Sequence, residues 1–200
     1  MPDAMAAMQH DADRLFEAGS YRSALAEFSV LRERRARHEG PYSRMYLANL
    51  HDALRCMGHL ELWADSLPLG RELYGKYLRT RGPARPDTVD AAKRYAWALV
   101  CADSLDPAVA IYLTTADALW PSTASDGSAN DSPDQLPEAT RLLGAAVVHH
   151  HNGHHDVLDL AAASTSALSH VEELRRVADT LPVDAVVGID GAVLEPHHTH

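Results

Sequence analysis

Apolar residues along the chain recur at intervals of three and four residues, the spacing that places side chains on one face of an α-helix. The clearest case follows the turn Gly19-Ser20, where Ala24, Phe28 and Leu31 repeat in this way. A second amphipathic stretch precedes the same turn. The pattern therefore predicts two helices joined by a short turn.

The same succession of helix, turn and helix occurs three more times. The predicted turns lie at Gly58, near Ser104 and at Gly153, so that successive turns are 39, 46 and 49 residues apart. Pro107 suits the first turn of the helix that follows Ser104. Self-similarity at intervals of this size is typical of repeat proteins, and four helical hairpins are predicted.

Helix-breaking residues separate the predicted hairpins. Gly40-Pro41 and Gly82-Pro83 each end one helix before the next begins. A longer break is rich in Ser, Asp, Pro and Gly, a composition typical of exposed linkers. The predicted organisation is three hairpins in residues 3–120, a linker in residues 121–135, a fourth hairpin in residues 136–181 and a tail in residues 182–200.

The tail differs in character from the rest of the chain. Its segment VVGIDGAVL has the pattern of a strand, an Asp-Gly turn and a second strand. Because an isolated two-stranded hairpin is marginally stable in water, we predict an irregular tail that is extended, disordered or paired with a partner.

The residues around the first turn resemble the tetratricopeptide repeat. The motif of that family has a glycine, an aromatic, a small and a second aromatic residue at the positions of Gly19, Tyr21, Ala24 and Phe28. Residues 81–112, RGPARPDTVDAAKRYAWALVCADSLDPAVAIY, are similar to the kinesin-light-chain-like variety of this repeat, which has Gly-Pro and Pro-Asp-Thr before its first helix.

The resemblance covers about residues 3–180 and implies an all-α fold, a right-handed α–α superhelix of about four hairpins. Trp63 and Leu158 stand at the small-residue position of the second and fourth repeats. Repeats of this variety occur in actinobacterial regulators, and their concave surface takes protein or peptide ligands. The resemblance therefore implies an adaptor or regulatory protein.

The groove-facing positions of the motif supply the candidate ligand-binding residues. Arg55 and Arg94 are suited to hold a carboxylate through two parallel hydrogen bonds, and Asn49 is suited to hold a peptide backbone. The alternative is that these residues form ordinary solvated helix surfaces. The full set is Gln9, His10, Asp13, Asn49, Asp52, Arg55, Arg94, Tyr95, Thr140, His150 and His151.

Composition and charge exclude several classes of function. A net charge of −10 argues against nucleic-acid binding, which requires cations to neutralise phosphates. The absence of a secretory signal and of an apolar run of about 20 residues predicts a cytoplasmic protein that does not bind membranes. The many arginines and alanines, against two lysines, indicate a bacterial source. Cys56 and Cys101 lie in apolar helical stretches and are expected to be buried thiols.

Motifs of the common enzyme classes were not found in the sequence. It contains no G-x-S-x-G nucleophile elbow, no dinucleotide fingerprint, no phosphate-binding loop and no H-E-x-x-H metal motif. We therefore predict a protein that is not an enzyme and needs no cofactor.

A histidine-rich segment, VVHHHNGHHDVLDLA, is expected to form the polar elbow of the fourth hairpin, and a pH-sensing role is one alternative. It also supports an alternative interpretation as a metal-binding protein, sensor or metalloenzyme that takes Zn or Ni. Histidines four residues apart can share one metal, although Asn152-Gly153 is a helix terminator and the pairs straddle that turn. A further alternative is a self-associating scaffold, because uncapped terminal repeats tend to form homo-oligomers. The candidate ligands of the metal are His149, His150, His151, His154, His155 and Asp156.

Overall fold

The computed structural model describes residues 2–119, 135–152, 186–187 and 193–194. The prediction of an all-α fold made of successive helical hairpins is confirmed. In the repeats described below, α1, α3 and α5 are called helix A, and α2, α4 and α6 are called helix B. The elements are α1 (Pro2–Glu17), α2 (Tyr21–His38), α3 (Arg44–His59), α4 (Trp63–Arg81), α5 (Pro86–Cys101), α6 (Leu105–Leu119), α7 (Gln135–Asn152), β1 (Val186–Val187) and β2 (Val193–Leu194).

The chain divides into two compact units, Met1–Gly82 and Pro83–His200. Unit 1 contains α1 to α4, and unit 2 contains α5 to α7 with the two strands. The first three predicted hairpins correspond to α1–α2, α3–α4 and α5–α6, while the second helix of the fourth lies outside the described residues. The right-handed superhelix stays a prediction. Within the described residues, no helix is long and apolar enough to cross a membrane.

The turns between helix A and helix B share one backbone conformation. Each contains a residue with positive φ two positions before helix B: Gly19 (72°), Glu61 (55°) and Asp103 (57°). The next amide N–H donates to the carbonyl five residues back, at 2.9, 3.0 and 2.8 Å, which closes the end of helix A. These turns are 42 residues apart, and helices A begin at the same interval, at Pro2, Arg44 and Pro86.

The predicted turn at Gly58 is therefore wrong, as is the unequal spacing between the first three turns. Gly58 lies inside α3, and a Cβ at this position would lie 3.7 Å from the ring of Trp63. That distance is an ordinary van der Waals contact, and the turn itself falls at Glu61. The small-residue position of the second repeat is then Ser66 and not Trp63, because Ser66 lies 42 residues after Ala24 and is buried like it.

The core of unit 1 lies where α2 packs against α1 and α3. Cys56 belongs to this core as predicted, and burial, with a smaller effect of Asp52, raises the pKa of its thiol to about 11. The prediction that Cys101 is also buried is wrong, since the last residue of α5 is exposed. The buried residues of this core are Ala12, Ala24, Phe28, Leu31, Ala53 and Cys56.

In unit 2, α7 packs against α6 and is joined to α5 by an ion pair. The Nζ atom of Lys93 donates to Oε1 of Glu138 at 2.8 Å, and these side chains are 15% and 20% exposed. Helix α7 begins at Gln135, so this residue, placed at the end of the predicted linker, is helical. The buried residues of α6 and α7 include Tyr112, Leu113, Ala116, Ala139, Leu142 and Ala145.

The described residues of the tail are not irregular. Strands β1 and β2 pair in antiparallel register, with Val186 opposite Leu194 and Val187 opposite Val193. Both strands lie against α7. The strand-like pattern of VVGIDGAVL therefore holds at these four residues, where the expectation of an irregular tail is wrong.

The three hairpins share one turn conformation, so substitutions at equivalent turn positions test the 42-residue interval. A non-glycine residue in the left-handed region is strained, so we expect Glu61→Gly and Asp103→Gly each to raise the free energy of unfolding by about 0.5–1 kcal/mol. The reverse change, Gly19→Glu, is expected to lower it by about 1 kcal/mol, because no atom lies within 4 Å of its added Cβ and backbone strain dominates. Urea unfolding of the three variants measures these shifts, and a loss of stability in the two glycine variants would contradict the assignment.

Candidate functional site

The candidate ligand-binding residues of the first two repeats lie on α1 and α3 of unit 1. We call their surface the helix-A face of unit 1; it consists of Gln9, His10, Asp13, Asn49, Asp52 and Arg55. The 42-residue interval makes His10 equivalent to Asp52 and Asp13 equivalent to Arg55, so the two helices present matching positions. Asn49 is different, because the residues 42 positions before and after it are Ala7 and Ala91, which are not candidate ligand-binding residues.

A chain of hydrogen bonds connects three of these residues. Asn49 is fully buried, and its Nδ2 donates to Oε1 of Gln9 at 2.7 Å. Nε2 of Gln9 in turn donates to Oδ1 of Asp13 at 2.9 Å. Among the described residues, Oδ1 of Asn49 has no hydrogen-bond partner. Asn49 therefore lies beneath the surface and orients Gln9, which corrects the expectation that Asn49 itself holds a peptide backbone.

Arg55 is the most prominent cation of this face. Its guanidinium carbon lies 4.5 Å from the centroid of the Phe16 ring, and its Nη1 donates to Oδ1 of Asp52 at 3.4 Å. The side chain is 43% exposed. An arginine has five N–H donors, and this is the one hydrogen bond that Arg55 makes within the described residues. The guanidinium is thus held in place while most of its donors are left for a ligand.

Three aromatic residues that the sequence analysis did not place in the site support Arg55. The Phe16 ring packs edge-on against Tyr21 and His59, with centroids 5.3 and 5.7 Å apart. The rings of Tyr21 and His59 are stacked at 4.0 Å. Tyr21 was recognised as a motif aromatic, but its partners come from α1 and the end of α3, which the motif does not connect.

The carboxylate of Asp52 lies in an environment that disfavours its charge. Burial raises its pKa, and the nearby Asp13 adds to this, whereas Arg55 and His51 oppose the shift. The helix-A face of unit 1 is therefore of mixed charge, with one oriented cation and two carboxylates.

In unit 2 the predicted arginine is already engaged. Nε of Arg94 donates to Oδ2 of Asp90 at 2.8 Å, one helical turn away, and its side chain is 27% exposed. Tyr95 on α5 and Thr140 on α7 are half-buried and also have partners. Arg94 is thus less available to a ligand than Arg55.

The histidine cluster is described in part. Helix α7 ends at Asn152, as its Asn-Gly sequence predicts, and its last turn contains His149, His150 and His151. His154, His155 and Asp156 lie outside the described residues. Within the described residues, no three His, Cys, Asp or Glu side chains are close enough to hold a metal ion. A Zn or Ni site at this cluster stays a prediction.

Comparison with known proteins identifies the fold. No protein-family model and no curated protein matches the sequence. Among solved structures, BtubC (BKLC) from P. vanneervenii is similar with a TM-score of 0.60 and 10% identity, over 94% of this chain and 70% of that one. The kinesin light chain TPR-like repeats of Podosopora anserina are similar with a TM-score of 0.52 and 15% identity, over 90% and 95%. The chain thus has a tetratricopeptide-like repeat fold, as the motif residues indicate.

The buried network gives a first prediction for this face. Gln9→Leu leaves the amide of Asn49 without its partner and is expected to lower the free energy of unfolding by about 1–3 kcal/mol. The double variant Gln9→Leu/Asn49→Leu is expected to recover most of this loss, because replacing both partners by apolar groups of similar size is nearly neutral. His10→Leu, at the exposed neighbouring position, serves as the control and is expected to change stability by less than about 0.5 kcal/mol in urea unfolding.

Asp52 gives a pH-dependent prediction. An acid whose pKa is raised in the folded state binds its proton more tightly there than in the unfolded chain, so its contribution to stability is present at low pH and is lost as pH rises above about 4. Asparagine does not ionise, so Asp52→Asn removes this loss of stability at higher pH. We therefore expect the variant to gain stability relative to the parent chain between pH 3.5 and pH 7 in urea unfolding. A constant or shrinking difference would contradict the shift.

Proposed function

We propose that this chain is a non-enzymatic, cytoplasmic adaptor or regulatory protein that binds a protein or peptide on the helix-A side of its repeats. Tetratricopeptide-like repeats generally mediate protein–protein interactions, but a fold alone does not establish a function. The observation that carries the proposal is Arg55, a half-exposed guanidinium that is oriented by Phe16 and Asp52.

The chemistry of this face is suited to recognition. Arg55 offers a planar set of donors for a carboxylate, and its position over an aromatic ring reduces the side-chain freedom that binding would remove. Gln9 and Asp13 lie in a fixed hydrogen-bonded pair beside it. The carboxylates of the face are bonded to Gln9 or Arg55, an arrangement better suited to holding a polar ligand than to transferring protons.

The magnitude of these contacts indicates a ligand that extends over several residues. A hydrogen bond to a charged group contributes about 1.5–3 kcal/mol, whereas micromolar affinity requires about 8 kcal/mol. Arg55 therefore cannot hold a ligand alone, and we expect further contacts along α1 and α3. Arg94 lies in unit 2, where its bond to Asp90 leaves it less available to a ligand.

The proposal is tested with peptides selected on the intact chain from a display library of random linear sequences. Their affinity is then measured by calorimetry for the parent chain and for single variants. We expect Arg55→Glu to weaken binding at least about 30-fold, which corresponds to about 2 kcal/mol.

Arg71→Glu is the matched control, because it makes the same change of charge at an exposed position of α4. It is expected to leave the affinity for the peptide unchanged. Circular dichroism spectra check that all variants are folded. Selected peptides that bind Arg55→Glu as tightly as the parent chain would overturn the proposal, and so would a library that gives no binder.

A further inference from the structure

A groove lies on a different part of unit 1, between α2 and α4. Its volume is about 440 Å³, within the range of ligand-binding clefts. We call it the α2–α4 groove. Val30, Arg32 and Ala36 line it from α2, Tyr46 lies at the start of α3, and Leu69 and Glu72 line it from α4.

The groove exists because short side chains face it and a fixed cluster holds its base. Ser29 and Ala36 on α2 are too small to fill the space toward α4. At the base, the hydroxyl of Tyr46 donates to Oε1 of Glu72 at 2.5 Å, and Nζ of Lys76 donates to the same oxygen at 2.6 Å. The ammonium of Lys76 also lies over the Tyr46 ring, 4.4 Å from its centroid.

This cluster is particular to unit 1. The residues 42 positions after Tyr46, Glu72 and Lys76 are Thr88, Thr114 and Ala118, which cannot form an equivalent ion pair. The stacking of repeats therefore does not require this cluster. Its three polar groups are a local feature beside the α2–α4 groove.

The charges around the groove are neutralised with one exception. Glu72 is bonded to Lys76, and its pKa is lowered because the hydrogen bonds from Lys76 and Tyr46 outweigh the effect of burial. Glu33, the other carboxylate of the lining, forms an ion pair with Arg37. Arg32 makes no hydrogen bond and no ion pair within the part of the chain that the structure describes. The positive charge of Arg32 nevertheless acts to lower the pKa of Tyr46 and of Glu72, so Arg32 lies near both residues.

Aliphatic side chains line the same groove as Arg32. Val30 is 41% exposed, a large value for a valine, and Leu69 lines the opposite wall from α4. A ligand complementary to the groove must then bring an apolar side chain to Val30 and Leu69 and a negative charge to Arg32.

We propose that the α2–α4 groove is a second docking surface, which binds a segment of another protein that presents a carboxylate next to an aliphatic side chain. The carboxylate pairs with Arg32, and the aliphatic side chain packs between Val30 and Leu69. This surface is separate from the helix-A face of unit 1, so the proposal does not depend on the function proposed above.

The test uses a display library of helical peptides that carry a fixed leucine and, one helical turn away, Glu, Gln or Lys. The measured quantity is the enrichment of Glu over Lys after selection on the intact chain. We expect an enrichment of at least about tenfold on the parent chain, equivalent to about 1.4 kcal/mol, and a ratio near one on Arg32→Gln. Arg22→Gln is the control, since Arg22 is exposed on the same helix, about 15 Å away along its axis.

Methyl chemical shifts of Val30 and Leu69 in the presence of a selected peptide locate the binding site. We expect these shifts to survive Arg55→Glu, which separates this result from that of the helix-A face. Equal recovery of Glu and Lys peptides, or an enrichment that persists on Arg32→Gln, would overturn the proposal. Shifts of the same methyl groups with protein concentration alone would also overturn it, because a second copy of the chain would then occupy the groove.

Discussion

Each repeat depends on a close approach of its two helices at a position with a small side chain. Ala24, Ser66 and Ala108 hold this position in the three described hairpins, and all are buried. Ser66 behaves like an alanine, because its hydroxyl donates to the carbonyl of Trp63 at 2.7 Å and leaves no unsatisfied group. A larger residue would force the helices apart at a cost of about 1–3 kcal/mol. The left-handed turn lies five residues earlier in each of these hairpins, so the turn and the small residue recur together as one device.

The fold could be predicted because this device has a sequence signature. Gly19, Ala24 and Phe28 identify the first repeat, and the break predicted at Gly82-Pro83 separates α4 from α5. The second turn was misplaced because glycine was taken as the marker of a left-handed residue. Here Glu61 adopts that conformation, and Gly58 lies inside α3. A rule based on residue type fails where a non-glycine residue takes the left-handed conformation, and the regular interval is seen only in the structure.

The candidate sites could be predicted to a smaller extent. Gln9 is bonded to Asp13 and Arg55 to Asp52, as helix periodicity allows for side chains three or four residues apart. The motif does not distinguish Asn49, which faces the neighbouring helix and is buried there. Burial of a polar residue depends on partners far away in the sequence, and the cluster around Glu72 and Lys76 arises in the same way. Such contacts have no local signature in the sequence.

Helix α3 contributes to both surfaces of unit 1, and its geometry argues that they act independently. Tyr46 at its start and Arg55 near its end are nine residues apart, which is about 14 Å along the axis. This exceeds the screening length of about 8 Å at physiological ionic strength, and changes at such separations usually have additive effects. Leu47 and Leu50 are buried between these positions and hold α3 in one place. Direct electrostatic coupling between ligands on the two proposed surfaces is therefore expected to be weak, so that each surface can be tested independently of the other.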